Sequence, residues 1–264
     1  MNTLGFIGMG QMAQALARGF LASGRIGRNE MAAYAPHQDK LRQNAERIGF
    51  RPVSSPEELA RISDMVVMAC KPYQIRDVLM NIGPLLPGKA LISIAAGWDF
   101  AAYEASLPEG VRLQFVMPNT PAMVGEGVFL FEETNSLRPD ERKEIMELFG
   151  AAGGIVELPS RLMGIGGAVT GCGPAFVDLM IEAYGDAAVR YGLPRNTAYE
   201  LVSRMILGSA RLQLETGAHP GVLKDQVTSP AGTTIRGVAA LEENGFRHAC
   251  IASIDAIMKP SEKE

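Results

Sequence analysis

From Thr3 to Leu158 the chain alternates two kinds of pattern. Short, nearly continuous apolar runs at 3–7, 31–35, 65–69, 90–94, 114–117, 128–132 and 155–158 have the length and composition of strands buried on both faces. Between them, 11–23, 37–48, 73–82, 100–107 and 139–150 read as helices, several bounded by Gly or Pro. This alternation predicts an α/β domain with a parallel sheet covered by helices on both faces.

After Pro159 the strand pattern stops, and strong punctuation divides the rest into consecutive helices. Pro174 reads as a first-turn proline, followed by Phe176, Val177, Met180, Ala183, Tyr184, Ala187 and Tyr191 at helical spacing up to Gly192. Thr197 with Glu200 reads as a capping box opening the next helix, which Gly217 closes. Further helices are predicted over 221–227, 234–243 and 246–258, with Asn244-Gly245 as a break and Pro260 to Glu264 as a frayed end. The predicted organisation is therefore an α/β domain at 1–159 and an all-α domain at 160–264. The α half carries Ala, Met and Leu around much of each helix, more apolar surface than it can bury alone, which predicts a homodimer or a multiple of dimers formed through it.

With 264 residues, 47% of them hydrophobic, the chain is large enough to build such cores. Its net charge of −4 gives no cationic footprint for a phosphate backbone, so nucleic acid is excluded as an expected partner. No basic leader precedes an apolar stretch, and no uninterrupted apolar run reaches the ~18 residues of a membrane span; the expected location is the cytoplasm, with no membrane partner. Cys70, Cys172 and Cys250 have neither CxxC nor zinc spacing and are expected as free thiols, with no metal site.

The first strand runs directly into Gly8-Met9-Gly10-Gln11-Met12-Ala13, and a helix follows. In that context the GxGxxA pattern is a dinucleotide-binding turn of Rossmann type. Gly8 allows the turn, Gly10 lets a pyrophosphate approach the backbone, Ala13 permits close helix–strand packing, and the helix N-terminus offers N–H groups to the anion. Met9, Gln11 and Met12 join the cofactor contacts. The end of the second strand, Tyr34-Ala35-Pro36, lacks the acidic residue that accepts from an NAD ribose. His37, Lys40 and Arg42 instead offer positive charge to a 2′-phosphate, so the expected cofactor is NADPH, with NADH as the alternative.

Other residues at the carboxyl edge of the sheet are Ala69-Cys70-Lys71-Pro72 and Ser93-Ile94-Ala95-Ala96-Gly97, where small side chains let a cofactor lie against backbone. Asn119, in Met117-Pro118-Asn119-Thr120-Pro121-Ala122, is expected in a rigid loop bordering the nicotinamide. In the α half, Ser229-Pro230-Ala231-Gly232-Thr233-Thr234 should lead into a helix. Its free N–H groups and three hydroxyls would cradle a carboxylate, although the hydroxyls would equally serve as helix caps.

The opening turn, Cys70-Lys71-Pro72, SIAAG at 93–97, MPNTPA at 117–122, TGCGPAF at 170–176 and HPGVLKDQVTSPAGTTIRGVAALEENGF at 219–246 together resemble the Δ1-pyrroline-5-carboxylate reductase family over essentially the whole chain. The resemblance implies a Rossmann domain followed by a helical dimerisation domain, and reduction of the C=N bond of pyrroline-5-carboxylate to L-proline. It also implies that Thr234 is the catalytic residue meeting the pyrroline nitrogen, and that Ser229, Gly232 and Thr233 hold the carboxylate. Gln226, where relatives often carry Asn, joins the substrate contacts. Pro56 stands where some relatives use Asn against the adenine, and Phe176 where many have Tyr.

Two other readings share the scaffold. A β-hydroxyacid dehydrogenase opens with a nearly identical glycine turn but needs a lysine on the first long helix of its second domain, and no lysine occurs between Lys143 and Lys224. A non-catalytic NADP-sensing protein would not need the hydroxyl cluster at 229–234.

Overall fold

The computed structural model describes residues 3–259, so the chain end from Pro260 onward lies outside the described residues. Eight strands form one sheet: β1 (Leu4–Ile7), β2 (Met31–Tyr34), β3 (Arg51–Pro52), β4 (Met65–Met68), β5 (Ala90–Ser93), β6 (Arg112–Met117), β7 (Gly127–Asn135) and β8 (Gly153–Leu158). Their order is β3-β2-β1-β4-β5-β6-β7-β8, with every pairing parallel except β6 with β7. The order reverses between β1 and β4, which opens a crevice beyond their carboxyl ends. Helices α1 (Gln11–Ala22), α2 (Gln38–Ile48), α3 (Pro56–Ile62), α4 (Ile75–Ile82), α5 (Phe100–Glu104) and α6 (Pro139–Gly150) connect the strands. The predicted strands are all present. The two-residue β3 and the short α3 are additions.

Two large apolar clusters cover the two faces of the sheet. One gathers Phe6, Leu16, Phe20, Phe129, Phe131 and Phe149, with Phe149 edge-on to the other three phenylalanines of β7 and α1 at 4.9 to 5.4 Å. The other gathers Ile7, Leu59, Val66, Ile75, Leu91 and Tyr103.

An ion pair between the buried Glu141 and the partly buried Arg112 ties β6 to α6. Arg112 donates to both carboxylate oxygens of Glu141 at 2.7 and 2.6 Å, and Arg138 adds its backbone N–H and guanidinium, each at 3.0 Å. Burial pushes the Glu141 carboxyl up, but the hydrogen bonds from Arg112 and the Arg138 backbone more than reverse it, leaving it below its ordinary value of 4.5. A depressed carboxyl stabilises the fold above its unfolded value and loses that contribution as pH falls through the folded one. Glu141→Gln, which leaves Arg112 without its charge partner, is expected to lower the unfolding free energy by about 3 kcal/mol at pH 7. In urea titrations the gap to the parent protein should narrow as pH drops below 4.5.

The remaining helices are α7 (Ser160–Arg190), α8 (Arg195–Thr216), α9 (Pro220–Gln226), α10 (Thr233–Glu243) and α11 (Phe246–Met258). The chain forms two compact units that part between Gly171 and Cys172, within α7. Two predictions need correction here. Pro174 does not start a helix but lies inside α7, which runs unbroken for 31 residues. Thr197 and Glu200 do not form a capping box: the N-cap of α8 is Pro194, three residues earlier, and Glu200 pairs instead with Arg204 at 2.9 Å. Gly217 does close α8, with φ 62°.

Among the described residues, α9, α10 and α11 contain no buried residue, and Leu179, Leu201, Leu207, Leu214 and Ile251 lie exposed. Monomeric proteins rarely expose so much aliphatic surface. By length and composition α7 is also able to cross a membrane, although its apolar residues do not form an uninterrupted run of that length.

Candidate functional site

The crevice between β1 and β4 is a cleft of about 810 Å³. Its floor is the turn after β1. Gly8 sits at φ +97°, donates its N–H to Tyr34 O at 2.8 Å, and lies so close to β4 that a Cβ would be 2.7 Å from the backbone of Ala69 and Cys70. Only glycine satisfies both conditions. Gly10 differs: a Cβ there meets nothing within 4 Å, so the empty volume over the turn is left for a ligand. Gly10 is also the N-cap of α1, whose first turn has no side-chain cap and no acidic residue. Free N–H groups and the positive end of a 12-residue helix thus face an open space lined by glycine, which is the fit expected for a pyrophosphate.

The structure brings together most of the residues predicted to contact a cofactor. Gly8, Met9, Gly10, Gln11, Met12, Tyr34, Ala35, Pro36, Ala69, Cys70, Lys71, Pro72 and Ala96 all line the cleft, as do His37, Lys40 and Pro56. Gly97 and Asn119 do not. Asn119 is buried and its amide is bonded within the protein, accepting from Val128 N at 2.8 Å and donating to Thr170 O at 3.0 Å. It pins the loop after β6 and leaves its neighbour Thr120 to reach the cleft. Ser93 plays a similar part, its hydroxyl bonded to Trp98 O at 3.1 Å beneath Ala95 and Ala96.

Of the three basic residues that follow β2, His37 and Lys40 line the cleft, while Arg42 is turned to Asp39 at 2.7 Å. That pair also occupies the acidic residue nearest the end of β2. Leu41, Asn44, Asp77, Val78 and Asn81 line the cleft as well. They come from α2 and α4 and belong to no motif, so only the helix faces could have pointed to them. Burial pushes the Cys70 thiol up to about 11, so it stays protonated at neutral pH and is a small polar wall rather than a nucleophile.

In the second unit, His219 caps α9 by accepting from Gly221 N at 3.1 Å through Nδ1. At the other end of α9, the Thr228 hydroxyl donates to Lys224 O and Asp225 O at 3.2 and 3.1 Å. A tight turn follows, closed by Gly232 N to Ser229 O at 3.0 Å. At Gly232 a Cβ would lie 2.4 Å from Ser229 Oγ and 3.1 Å from Ser229 O, so any side chain there would force the Ser229 hydroxyl to turn away. It is the N-cap of α10 and supplies no side-chain cap, so the hydroxyls do not serve that purpose here. Ser229, Thr233 and Thr234 are exposed and, among the described residues, their hydroxyls have no protein partner. Arg236, one turn on, reaches back to Gly232 O at 3.4 Å and sets a positive charge beside the turn. Gln226 ends α9 and is exposed. Among the described residues no group of three or more His, Cys, Asp or Glu is placed to hold a metal ion.

A mostly parallel sheet with a glycine turn at its switch point, followed by a helical unit with an uncapped, hydroxyl-rich helix start, places the chain in the class of dinucleotide-binding proteins of Rossmann type. Residues 160–264 match the family described as pyrroline-5-carboxylate reductase dimerisation, and residues 3–97 match that described as NADP oxidoreductase, coenzyme F420-dependent. The pyrroline-5-carboxylate reductase of Treponema pallidum is 40% identical over 98% of this chain and 99% of its own. That of Escherichia coli is 37% identical over 98% and 97%. The crystal structure of Plasmodium falciparum pyrroline carboxylate reductase with NADP bound superposes with a TM-score of 0.88 at 36% identity, covering 97% of this chain and 95% of that one. The chain belongs to the pyrroline-5-carboxylate reductase family.

Proposed function

We propose that this chain reduces 1-pyrroline-5-carboxylate to L-proline with NADPH, residues 1–159 holding the cofactor and residues 160–264 holding the substrate and joining two copies of the chain. The observation that carries this is end-to-end similarity to reductases of that name, 40% identity across 98% of the chain. When bound, the reduced nicotinamide supplies a hydride to the imine carbon. The protein's part is positioning. The uncapped N–H groups of α10 and the Ser229 and Thr233 hydroxyls hold the carboxylate, with Gly232 keeping the turn tight, Gln226 at its approach and Arg236 adding charge. The Thr234 hydroxyl meets the ring nitrogen and keeps its proton in place. Gly97 and Asn119 act on the cofactor only through the loops they shape.

A β-hydroxyacid dehydrogenase is not favoured, because α7 contains no lysine to serve as its acid–base group. The free hydroxyls at 229–234 argue against a sensor without turnover. The exposed apolar surface of α7 to α11 serves self-association rather than membrane insertion, in keeping with the dimerisation match that starts at residue 160, the first of α7. The protein works in the cytoplasm and has no nucleic-acid partner.

Cofactor choice tests the assignment of the cleft. The end of β2 has no carboxylate, and His37 and Lys40 line the space beside it. Lys40→Ala is expected to lower kcat/KM with NADPH about tenfold, the loss of one charge-assisted contact, and to leave NADH kinetics unchanged. Ala35→Asp should move the preference towards NADH. Steady-state assays with both cofactors decide it: a parent enzyme that uses NADH as well as NADPH, or a Lys40→Ala enzyme impaired equally with both, contradicts the assignment.

A further inference from the structure

Among the described residues, Ala231 is the one non-glycine residue with positive φ, at 58°. It stands third in the turn Ser229-Pro230-Ala231-Gly232, closed by the 3.0 Å bond from Gly232 N to Ser229 O. A turn with proline second and a left-handed third residue has the type II signature, and its third position normally belongs to glycine or asparagine, because a Cβ there crowds the neighbouring carbonyl. Ala231 is exposed, so no core packing compels the conformation. Strain of this kind clusters at ligand-binding and switch segments.

We propose that Ala231 is a positioning residue that tunes affinity for the substrate carboxylate by biasing the 229–232 turn away from its binding-competent shape. This rests on the assignment of the turn to the carboxylate made above. The left-handed form directs the chain into α10, where the N–H groups of Thr233 and Thr234 stand uncapped. With alanine in third position the ligand-free turn visits conformations with negative φ, and the competent fraction falls; apparent affinity falls by the same fraction. Chemistry at the ring nitrogen, which depends on Thr234 once substrate is bound, is untouched.

The test is Ala231→Gly in the full-length enzyme, assayed with NADPH on pyrroline-5-carboxylate and on unsubstituted 1-pyrroline, which has the same C=N bond but no carboxylate. The expected result is a KM for pyrroline-5-carboxylate lowered about fivefold, the preference that a left-handed site shows for glycine over alanine. kcat and the KM for 1-pyrroline should not change. Ala231→Val should move KM for the carboxylate substrate the other way. An unchanged KM for pyrroline-5-carboxylate in Ala231→Gly, or an equal fall for both imines, overturns the role of Ala231 alone. A parent enzyme that does not reduce pyrroline-5-carboxylate overturns both this and the assignment beneath it.

Discussion

Thr234→Val is expected to lower kcat for pyrroline-5-carboxylate about 100-fold while leaving NADPH affinity unchanged. Valine keeps the β-branch and the volume, and its helix propensity is close to that of threonine, so the start of α10 should survive. What disappears is a hydroxyl that, among the described residues, has no protein partner and is free to meet a ligand. Losing a group that positions the proton at the reacting nitrogen lowers rates by about 10²–10⁴, and the low end applies because an imine also takes up a proton from water before binding. The loss should appear in kcat rather than KM, since the carboxylate contacts remain. Binding of NADPH is read separately by fluorescence titration; its cleft is lined wholly by residues of the first unit. A variant with the parent kcat from pH 6 to 9 contradicts the role given to Thr234.

Gly8→Ala and Gly10→Ala should fail in different ways. At Gly8 a methyl group meets the Ala69 and Cys70 backbone at 2.7 Å, on a residue at φ +97°. Neither strain can relax without parting β1 from β4, so the substitution should lower the unfolding free energy by about 2–3 kcal/mol and abolish measurable NADPH binding. At Gly10 the methyl meets no protein atom within 4 Å, and the stability should stay within about 0.5 kcal/mol of the parent. It does enter the cleft over the N-terminus of α1, where it displaces the pyrophosphate, and the Kd for NADPH should rise at least about tenfold. Thermal melts with and without NADPH separate the two. If Gly10→Ala binds NADPH as the parent does, the pyrophosphate does not lie on this turn.

The contrast between these glycines was legible in the sequence, because a glycine turn directly between an apolar strand and a helix has few other uses. So were the seven longer strands, whose apolar runs are too short for helices. β3 escaped because it has two residues and pairs only with β2, and α3 because its seven residues, introduced by Pro56, look like punctuation. The unbroken α7 was hidden by composition. Gly164, Gly166, Gly167, Gly171 and Gly173 weaken helix propensity by about 1 kcal/mol each, and Pro174 usually marks a start. Tertiary contact overrides this: a Cβ on Gly166 would strike Leu158 and Leu130 at 2.7 and 2.8 Å, and one on Gly167 would strike Met117 at 2.2 Å. At Gly166 and Gly167 the missing side chain lets the helix lie against the sheet, whereas Gly164, Gly171 and Gly173 have open space where a Cβ would stand. Asn119 was placed near the nicotinamide by position alone, and position could not reveal that its amide is bonded to Val128 and Thr170. The substrate turn was legible as a hydroxyl-rich helix start, but the strain at Ala231 was not, since φ is not a property of composition.

The central claim is that hydride passes from NADPH to the imine carbon of pyrroline-5-carboxylate. Stoichiometric NADPH deuterated at the nicotinamide C4, in each of its two stereochemical forms, tests it with the product examined by proton NMR. One of the two forms should deliver one deuterium to Cδ of L-proline, the carbon that was doubly bonded to nitrogen, and the other should deliver none. Cofactor oxidation without deuterium at Cδ, or no oxidation with this substrate under conditions where a β-keto acid semialdehyde is reduced, would contradict the account.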